Sequence, residues 1–220
     1  MPFAYPVMLE VAGKRCVVIG DDAVREGKVD ALLAAGATDV LVVAEGPTGR
    51  LDELEHTDGV TIERRTWKCQ DLNGAFLVLG ASRDAGERVA LAREARCRNA
   101  IVNVIDDIPN CDFAAPSVIR RGELLLAIGT GGASPALSKR IRLELEQRYG
   151  PEWAEVVQIL RKVREETTPS LPSFRERAER WAAALDPDEA AALVREGRGD
   201  ELHTVLVERL LGDPRQAERA

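Results

Sequence analysis

Lys14-Arg15-Cys16-Val17-Val18-Ile19-Gly20 is a short apolar run that ends at a glycine and leads directly into a helical pattern. A continuous apolar run of this length is typical of a strand that is covered on both faces of a parallel sheet. A strand, a glycine and a helix in this order are also the usual beginning of a dinucleotide-binding unit. The run therefore predicts the first strand of an α/β domain.

The residues that follow continue to alternate between strand and helix patterns. Further strands are predicted at residues 39–44, 60–62, 75–79 and 100–105, and helices at residues 21–35, 51–55 and 84–98. Strands that alternate with helices are typical of a doubly wound parallel sheet. We therefore predict an α/β fold class, with a Rossmann-like domain over residues 1–112.

The pattern changes in residues 113–150, where we predict a small α+β region. Two strands, residues 117–120 and 123–128, are joined by a turn at Arg121-Gly122. Ser134-Pro135 then begins a helix, since serine is a preferred N-cap and proline is favoured at the first helical position.

The remaining residues, 151–220, carry helical patterns interrupted at proline-containing breaks, which predicts an all-helical C-terminal domain. Trp153 and Trp181 are predicted to anchor its core. The polar tail from Asp213 is predicted to fray.

Composition narrows the range of partners and locations. The 220 residues carry a net charge of −7, which argues against nucleic-acid binding. No apolar run approaches the roughly 20 residues of a membrane span, and the first residues lack a signal-peptide pattern, so we expect a cytoplasmic protein that binds no membrane. The four cysteines form no C-x-x-C pair and the two histidines are far apart, which predicts separate thiols and no histidine-based zinc site.

The glycine loop departs from the dinucleotide-binding pattern G-x-G-x-x-G, because Gly20-Asp21-Asp22-Ala23-Val24-Arg25 keeps only the first glycine. A carboxylate about 4 Å from a phosphate charge costs up to roughly 4 kcal/mol at an effective dielectric constant near 20. The alternative is a structural turn with capping aspartates. Glu45 lies just past the second strand, where an acidic residue binds the adenosine ribose and favours NAD, or else is simply solvated.

Three motifs further along the chain suggest a site for chemistry. They are Asn103-Val104-Ile105-Asp106-Asp107, Asp112-Phe113-Ala114-Ala115-Pro116 and Gly131-Gly132-Ala133-Ser134-Pro135. The first is an apolar strand that runs into two carboxylates, and ligands bind at the carboxyl ends of strands in open α/β sheets. Asp106 is therefore a candidate for moving a proton, against the alternative of a turn or capping aspartate.

These motifs resemble the siroheme synthase family of precorrin-2 dehydrogenases, some of which are also sirohydrochlorin ferrochelatases. The similarity covers residues 3–150, beginning at Tyr5-Pro6-Val7-Met8-Leu9 and including Asp71-Leu72-Asn73-Gly74 and Gly80-Ala81-Ser82. It is most specific from Asn103 to Ser134, where three separated motifs keep their order and spacing.

The resemblance implies siroheme biosynthesis: NAD-dependent oxidation of precorrin-2 to sirohydrochlorin, with ferrous iron insertion in bifunctional members. It implies a homodimer in which residues 113–150 form the dimerisation region and part of the tetrapyrrole site. Asp106 is the implied catalytic residue and a transient iron contact, with no fixed metal ligands. The implied cofactor-binding residues are Gly20, Asp22, Ala23, Val24, Ala44, Glu45 and Ser82, and the implied substrate-binding residues are Asn103, Thr130, Gly131, Gly132 and Ser134.

The residue chemistry agrees with that reaction. Forming a double bond requires a hydride acceptor, which no side chain supplies, and a base for the proton, which Asp106 can supply. The amides of Gly131 and Gly132 and the N-terminus of the following helix offer an anion site for a polycarboxylate. Four basic residues nearby in sequence are either carboxylate clamps, which bind the substrate carboxylates, or solvated surface charges. They are Arg120, Arg121, Lys139 and Arg142.

Three hypotheses remain open from the sequence. The first is an NAD-dependent precorrin-2 dehydrogenase that also inserts iron in its bifunctional form. The second is a chelatase that has lost its redox activity because Asp21 and Asp22 replace glycines. The third is a non-catalytic tetrapyrrole-binding module.

Overall fold

The structure of the chain is a computed structural model that describes residues 5–25, 27–46 and 49–212. It divides into two compact units, Met1–Ala115 and Pro116–Ala220. Each unit has its own hydrophobic core.

The first unit is built on a five-stranded sheet in which every strand pair is parallel. The strands are β1 (Arg15–Ile19), β2 (Asp39–Ala44), β3 (Val60–Arg64), β4 (Leu77–Gly80) and β5 (Ile101–Val104). Their order across the sheet is β3-β2-β1-β4-β5, so the chain reverses direction across the sheet between β1 and β4. The prediction of a doubly wound sheet is confirmed, and this reversal is the point at which such sheets bind ligands.

Strand β1 lies at the centre of the sheet and is buried on both faces. Cys16 and Val18 point into one core cluster, and Val17 and Ile19 point into the other. Helices cover the two faces; the α-helices among the described residues of this unit are α1 (Asp21–Arg25), α2 (Lys28–Ala34), α3 (Gly49–Leu54) and α4 (Ala85–Cys97). Two-sided burial explains why this strand is a continuous apolar run rather than an alternating one.

The prediction of one helix over residues 21–35 is wrong, because the structure divides that stretch into α1 and α2. Gly27 lies between them with φ +70°, in the left-handed region that ends a right-handed helix. The predicted fourth strand also begins two residues early. The amide of Ala75 closes a turn onto the carbonyl of Leu72 and is not available to the sheet.

The outer edge of β5 is closed by the chain that follows it. The backbone amide of Asp112 donates to the carbonyl of Val102 at 2.7 Å, and its carboxylate accepts from the amide of Val102 at 3.0 Å. The amide of Val104 donates to the Cys111 sulfur at 3.2 Å. These bonds occupy backbone groups that an open edge strand would expose to other chains.

The second unit contains a two-stranded antiparallel hairpin, five α-helices and a short 3-10 helix (Thr168–Ser170) within its described residues. The elements are β6 (Ser117–Arg121), β7 (Leu124–Ile128), α5 (Pro135–Arg148), α6 (Trp153–Thr167), α7 (Phe174–Ala184), α8 (Pro187–Arg195) and α9 (Gly199–Leu211). The hairpin turn is one residue later than predicted, because Arg121 still pairs with Leu124 and Gly122 takes the positive φ of +57°.

Helices α6 to α9 enclose the core of the second unit, and the two tryptophans pack against it as predicted. The predicted division near residue 150 stays a prediction, and the predicted fraying from Asp213 falls outside the described residues. No helix in the described part of the chain has the length and apolar character needed to cross a membrane.

Candidate functional site

A groove of about 390 Å³ opens where the strand order reverses in the first unit. It lies at the carboxyl ends of β1, β2 and β4, which is where a doubly wound sheet binds a ligand. Five of the seven predicted cofactor residues line it: Gly20, Asp22, Ala44, Glu45 and Ser82. The side chains of the other two, Ala23 and Val24, are buried in the core and do not line the groove, so a contact through their side chains is not supported.

Gly20 is required by the close approach of two loops at this groove. Its φ is +93°, and a Cβ built on it would lie 2.2 Å from the carbonyl oxygen of Ala81. That carbonyl has little room to move, because the Ala81 amide donates to Ile19 at 2.9 Å and the Gly20 amide donates to Val43 at 2.8 Å. The remaining glycine of the loop therefore brings the ends of β1 and β4 together.

The two aspartates that replace glycines lie near a hydrogen-bond donor and a positive charge, respectively. The carboxylate of Asp21 accepts from the backbone amide of Gly46 at 3.1 Å, which joins the loops after β1 and β2. The carboxylate of Asp22 lies 3.8 Å from the guanidinium of Arg83. This pair is exposed to solvent and therefore weak, but it offsets part of the negative charge at the groove.

Glu45 is exposed at the end of β2, and its predicted contact with the adenosine ribose stays a prediction. Its carboxylate accepts from the hydroxyl of Thr66 at 3.1 Å. Arg65, which precedes Thr66 in the chain, donates two hydrogen bonds to the buried carboxylate of Asp71, at 2.8 and 2.9 Å. The Lys68 amide also donates to Asp71 at 2.7 Å, so this aspartate shapes the loop after β3.

The hydrogen bonds from Arg65 hold the pKa of the Asp71 carboxyl below its ordinary value, and the hydrogen bond from the Lys68 amide makes a smaller contribution in the same direction. A carboxyl with a lower pKa in the folded state stabilises the fold above its unfolded pKa of about 4, and that contribution is lost as the pH falls through the folded pKa. We expect Asp71→Asn to lower the urea midpoint at neutral pH, by an amount that becomes smaller as the pH falls through the folded pKa. Urea unfolding from pH 7 to pH 2 measures this, with the exposed Asp58→Asn as control. A loss in Asp71→Asn that is constant over this range would contradict the assignment.

Asp106 follows β5 and is exposed, as a group that meets a substrate must be. Its φ is +58°, a conformation that costs a non-glycine residue roughly 1–2 kcal/mol and that aspartate and asparagine tolerate best. The amide of Asp107 donates to the carbonyl of Val104 at 3.2 Å and closes a tight turn around Asp106. Asn103 lies in β5 itself, and its side-chain amide donates to the carbonyl of Phe113 at 2.8 Å. Its predicted substrate contact stays a prediction.

The remaining predicted substrate residues lie in the second unit, where β7 leads into α5. The Thr130 hydroxyl accepts from the Ser134 amide and donates to the Ser134 carbonyl, both at 3.2 Å. Gly131 and Gly132 have positive φ values of +63° and +81°. The Ser134 hydroxyl caps α5 by accepting from Leu137 at 3.1 Å, which confirms the predicted N-cap. Thr130 therefore holds a compact glycine loop against the start of the helix.

Two of the four predicted carboxylate clamps have partners within the second unit. Arg121 donates to the carbonyl of Tyr149 at 3.0 Å, and Arg142 pairs with Glu146 one helical turn away. Arg120 and Lys139 are exposed.

Several groove residues were not predicted from the sequence. The loop after β3 contributes Arg65, Thr66 and Trp67, and the region after β4 contributes Arg83 and Glu87. The carboxyl-end rule for parallel strands would have indicated the first three, had it been applied to β3 as well as to β1, β2 and β5.

A family model described as "Putative NAD(P)-binding" matches residues 7–117, which is half of the 220 residues. The chain belongs to this NAD(P)-binding family. The matched range covers the whole five-stranded sheet and the groove. The groove fits such a cofactor, since it lies at the topological switch point and holds the glycine and the acidic residue in the expected places.

The chain is also similar to two proteins with longer sequences and to one solved structure. Siroheme synthases from Methylococcus capsulatus and Pseudoalteromonas atlantica are 30% and 28% identical over 203 and 209 residues. These alignments cover 92% and 95% of this chain but 42% and 45% of the relatives, so the chain spans less than half of their length. A solved structure titled "SirC, precorrin-2 dehydrogenase" superposes with a TM-score of 0.67 and 26% identity, covering 92% of this chain and 98% of that one.

Proposed function

We propose that this protein is an NAD-dependent precorrin-2 dehydrogenase that forms sirohydrochlorin in siroheme biosynthesis. The observation that carries the proposal is the pairing of a dinucleotide groove at the switch point with the exposed carboxylate of Asp106 at the end of β5. The similarity to a precorrin-2 dehydrogenase over nearly the full length of both chains supports it. The four cysteines are free thiols, which supports a cytoplasmic location.

Each residue set has a distinct task in this reaction. Bound NAD supplies the hydride acceptor, which no side chain can provide. Glu45 would hold the adenosine ribose, and the loops after β1 and β4 would hold the rest of the dinucleotide. Asp106 accepts the proton that leaves as the hydride departs, so the substrate loses two hydrogens and gains one double bond. The Gly131-Gly132 loop and the start of α5 would bind the substrate carboxylates.

A homodimer is part of the proposal. Helix α5 has no buried residue, and Leu137 and Leu143 on it and Val118 on β6 are each more than two-fifths exposed. These exposed apolar side chains would be available to a contact surface, and the resemblance assigns this region to dimerisation.

The deciding experiment is anaerobic incubation of the purified protein with precorrin-2 and NAD, following NADH and sirohydrochlorin by absorbance. Equal yields of both products support the dehydrogenase. A second reaction, sirohydrochlorin with ferrous iron and no NAD, tests iron insertion, for which the exposed Asp106 would be available whatever the groove binds. Iron insertion without precorrin-2 oxidation would replace the proposal with a chelatase. Tight sirohydrochlorin binding without either reaction would leave a binding module.

We expect NAD to bind more tightly than NADP, because the carboxylate of Glu45 repels the additional phosphate of NADP. Glu45→Gln keeps the length of the side chain and an acceptor for Thr66 but removes the charge. The ratio of the two Kd values should move toward NADP by about tenfold, equivalent to about 1.4 kcal/mol. Titration of both dinucleotides by calorimetry measures it, with the exposed Glu165→Gln on α6 as control. An unchanged ratio in Glu45→Gln would place the adenosine ribose elsewhere.

A further inference from the structure

One arginine of α4 joins the loop after β4 to the turn after β5. The Nε of Arg88 donates to the Asp107 carboxylate at 2.9 Å. Its Nη1 donates to the carbonyls of Ser82 and Arg83, at 3.0 and 3.2 Å. The side chain is one-quarter exposed, so the guanidinium is largely enclosed by the groups it binds. Arg88 does not line the groove.

Asp107 is held from two sides. Besides Arg88, the side-chain amide of Asn110 donates to the same carboxylate oxygen at 3.0 Å, and only 13% of the Asp107 side chain is exposed. Both bonds, that of Asn110 first, hold the pKa of the Asp107 carboxyl below its ordinary value, so it remains a carboxylate at neutral pH. Asp106 occupies a disfavoured backbone conformation. Such a conformation persists only when the surrounding residues hold the turn in place.

The hydrogen bonds of Arg88 form a bridge from Asp107 to the wall of the dinucleotide groove. Ser82 and Arg83 both line the groove. The Ser82 hydroxyl donates to Glu87 at 2.6 Å and accepts from the Asp84 amide at 3.1 Å, so this loop is also held by the first turn of α4. The Arg88 bridge thus ends on both parts of the proposed active site, the groove wall and the proton-accepting turn.

We propose that Arg88 is a positioning residue that sets Asp106 relative to the bound dinucleotide by holding Asp107 and the loop after β4 on one guanidinium. This inference rests on the proposed function. A hydride acceptor and a base act on the same substrate only when both are aligned, and small misplacements cost large factors in rate. Arg88 therefore affects kcat, whereas cofactor binding depends on the groove residues.

The test compares Arg88→Met, which keeps the aliphatic part of the side chain but removes every donor, with Arg93→Met on the exposed part of the same helix. We expect Arg88→Met to lower kcat by about 100-fold and to leave the Kd for NAD within about twofold. Arg88→Lys should recover part of the rate, because an ammonium can replace some of the three bonds but lacks the planar fork. The double variant Arg88→Met, Asp107→Ala should be no slower than the slower single variant, since both remove one bridge.

Amide hydrogen exchange over residues 104–111 provides a readout that does not depend on turnover. We expect faster exchange there in Arg88→Met than in the wild type, with no such change in Arg93→Met. If the wild type does not oxidise precorrin-2, the proposed function fails, and the exchange measurement still decides whether Arg88 holds this turn. Unchanged kcat in a folded Arg88→Met enzyme, strictly additive losses in the double variant, or unchanged exchange would each overturn the inference.

Discussion

Asp106→Asn is expected to lower kcat for precorrin-2 oxidation by about 100- to 10,000-fold, the range that a general base contributes. The amide keeps the shape of the side chain but cannot accept the proton. Asparagine also tolerates the left-handed backbone at this position, where φ is +58°, so the turn should persist. The Kd for NAD should stay within about twofold of the wild type, because the groove lies at β1, β2 and β4.

Single-turnover measurement of sirohydrochlorin formation, together with NAD titration, separates these two effects. The matched control is Asp58→Asn, which removes one exposed carboxylate from the same unit and should leave both quantities unchanged. A folded Asp106→Asn protein that keeps the wild-type rate would show that another group takes the proton. A large loss of NAD affinity in the same variant would instead place Asp106 among the cofactor contacts.

Gly20→Ala is expected to abolish measurable NAD binding and to destabilise the first unit. The new Cβ would lie 2.2 Å from the Ala81 carbonyl oxygen, and the loops after β1 and β4 would have to separate. The left-handed backbone costs roughly 1–2 kcal/mol and the overpacking roughly 1–3 kcal/mol, giving a total of about 2–5 kcal/mol. At roughly 2–4 °C for each kcal/mol, the thermal midpoint should fall by about 4–20 °C.

Gly36→Ala separates the two causes, because Gly36 has a similar φ of +88° and no atom within 4 Å of a built Cβ. It should lose only the backbone contribution, roughly 1–2 kcal/mol, and should keep its NAD affinity. Thermal unfolding and calorimetric titration of both variants measure this. Equal losses in the two variants would show that the approach of Gly20 to Ala81 is not what shapes the groove.

The order and type of most elements could be predicted from local patterns. Continuous apolar runs indicated β1 and β2, because only strands buried on both faces lack alternation. The start of α5 could be predicted from Ser134-Pro135, whose N-cap bond depends on neighbouring residues alone. The break at Gly27 was missed because an isolated glycine is tolerated within many helices, and its conformation here depends on how α1 and α2 pack.

The site could be predicted only where a single strand end carries the signal. Gly20, Glu45 and Asp106 each directly follow a recognisable strand, so one rule about carboxyl ends indicates all three. The partners of the acidic loop could not be predicted in this way. Asp21 is bound by the amide of Gly46, and Asp22 lies near Arg83, which is distant in sequence.

The sequence alone determines the α/β class, the strand at the centre of the first unit and the carboxylate at the end of β5, because these depend on local apolar patterns and on residue type. The tertiary structure decides how β1 and β4 approach at Gly20 and how Arg88 joins Ser82, Arg83 and Asp107. These features depend on distances between chain segments that the sheet brings together. A local pattern carries no information about such distances, since hydrogen bonds and close contacts are set by packing rather than by spacing along the chain.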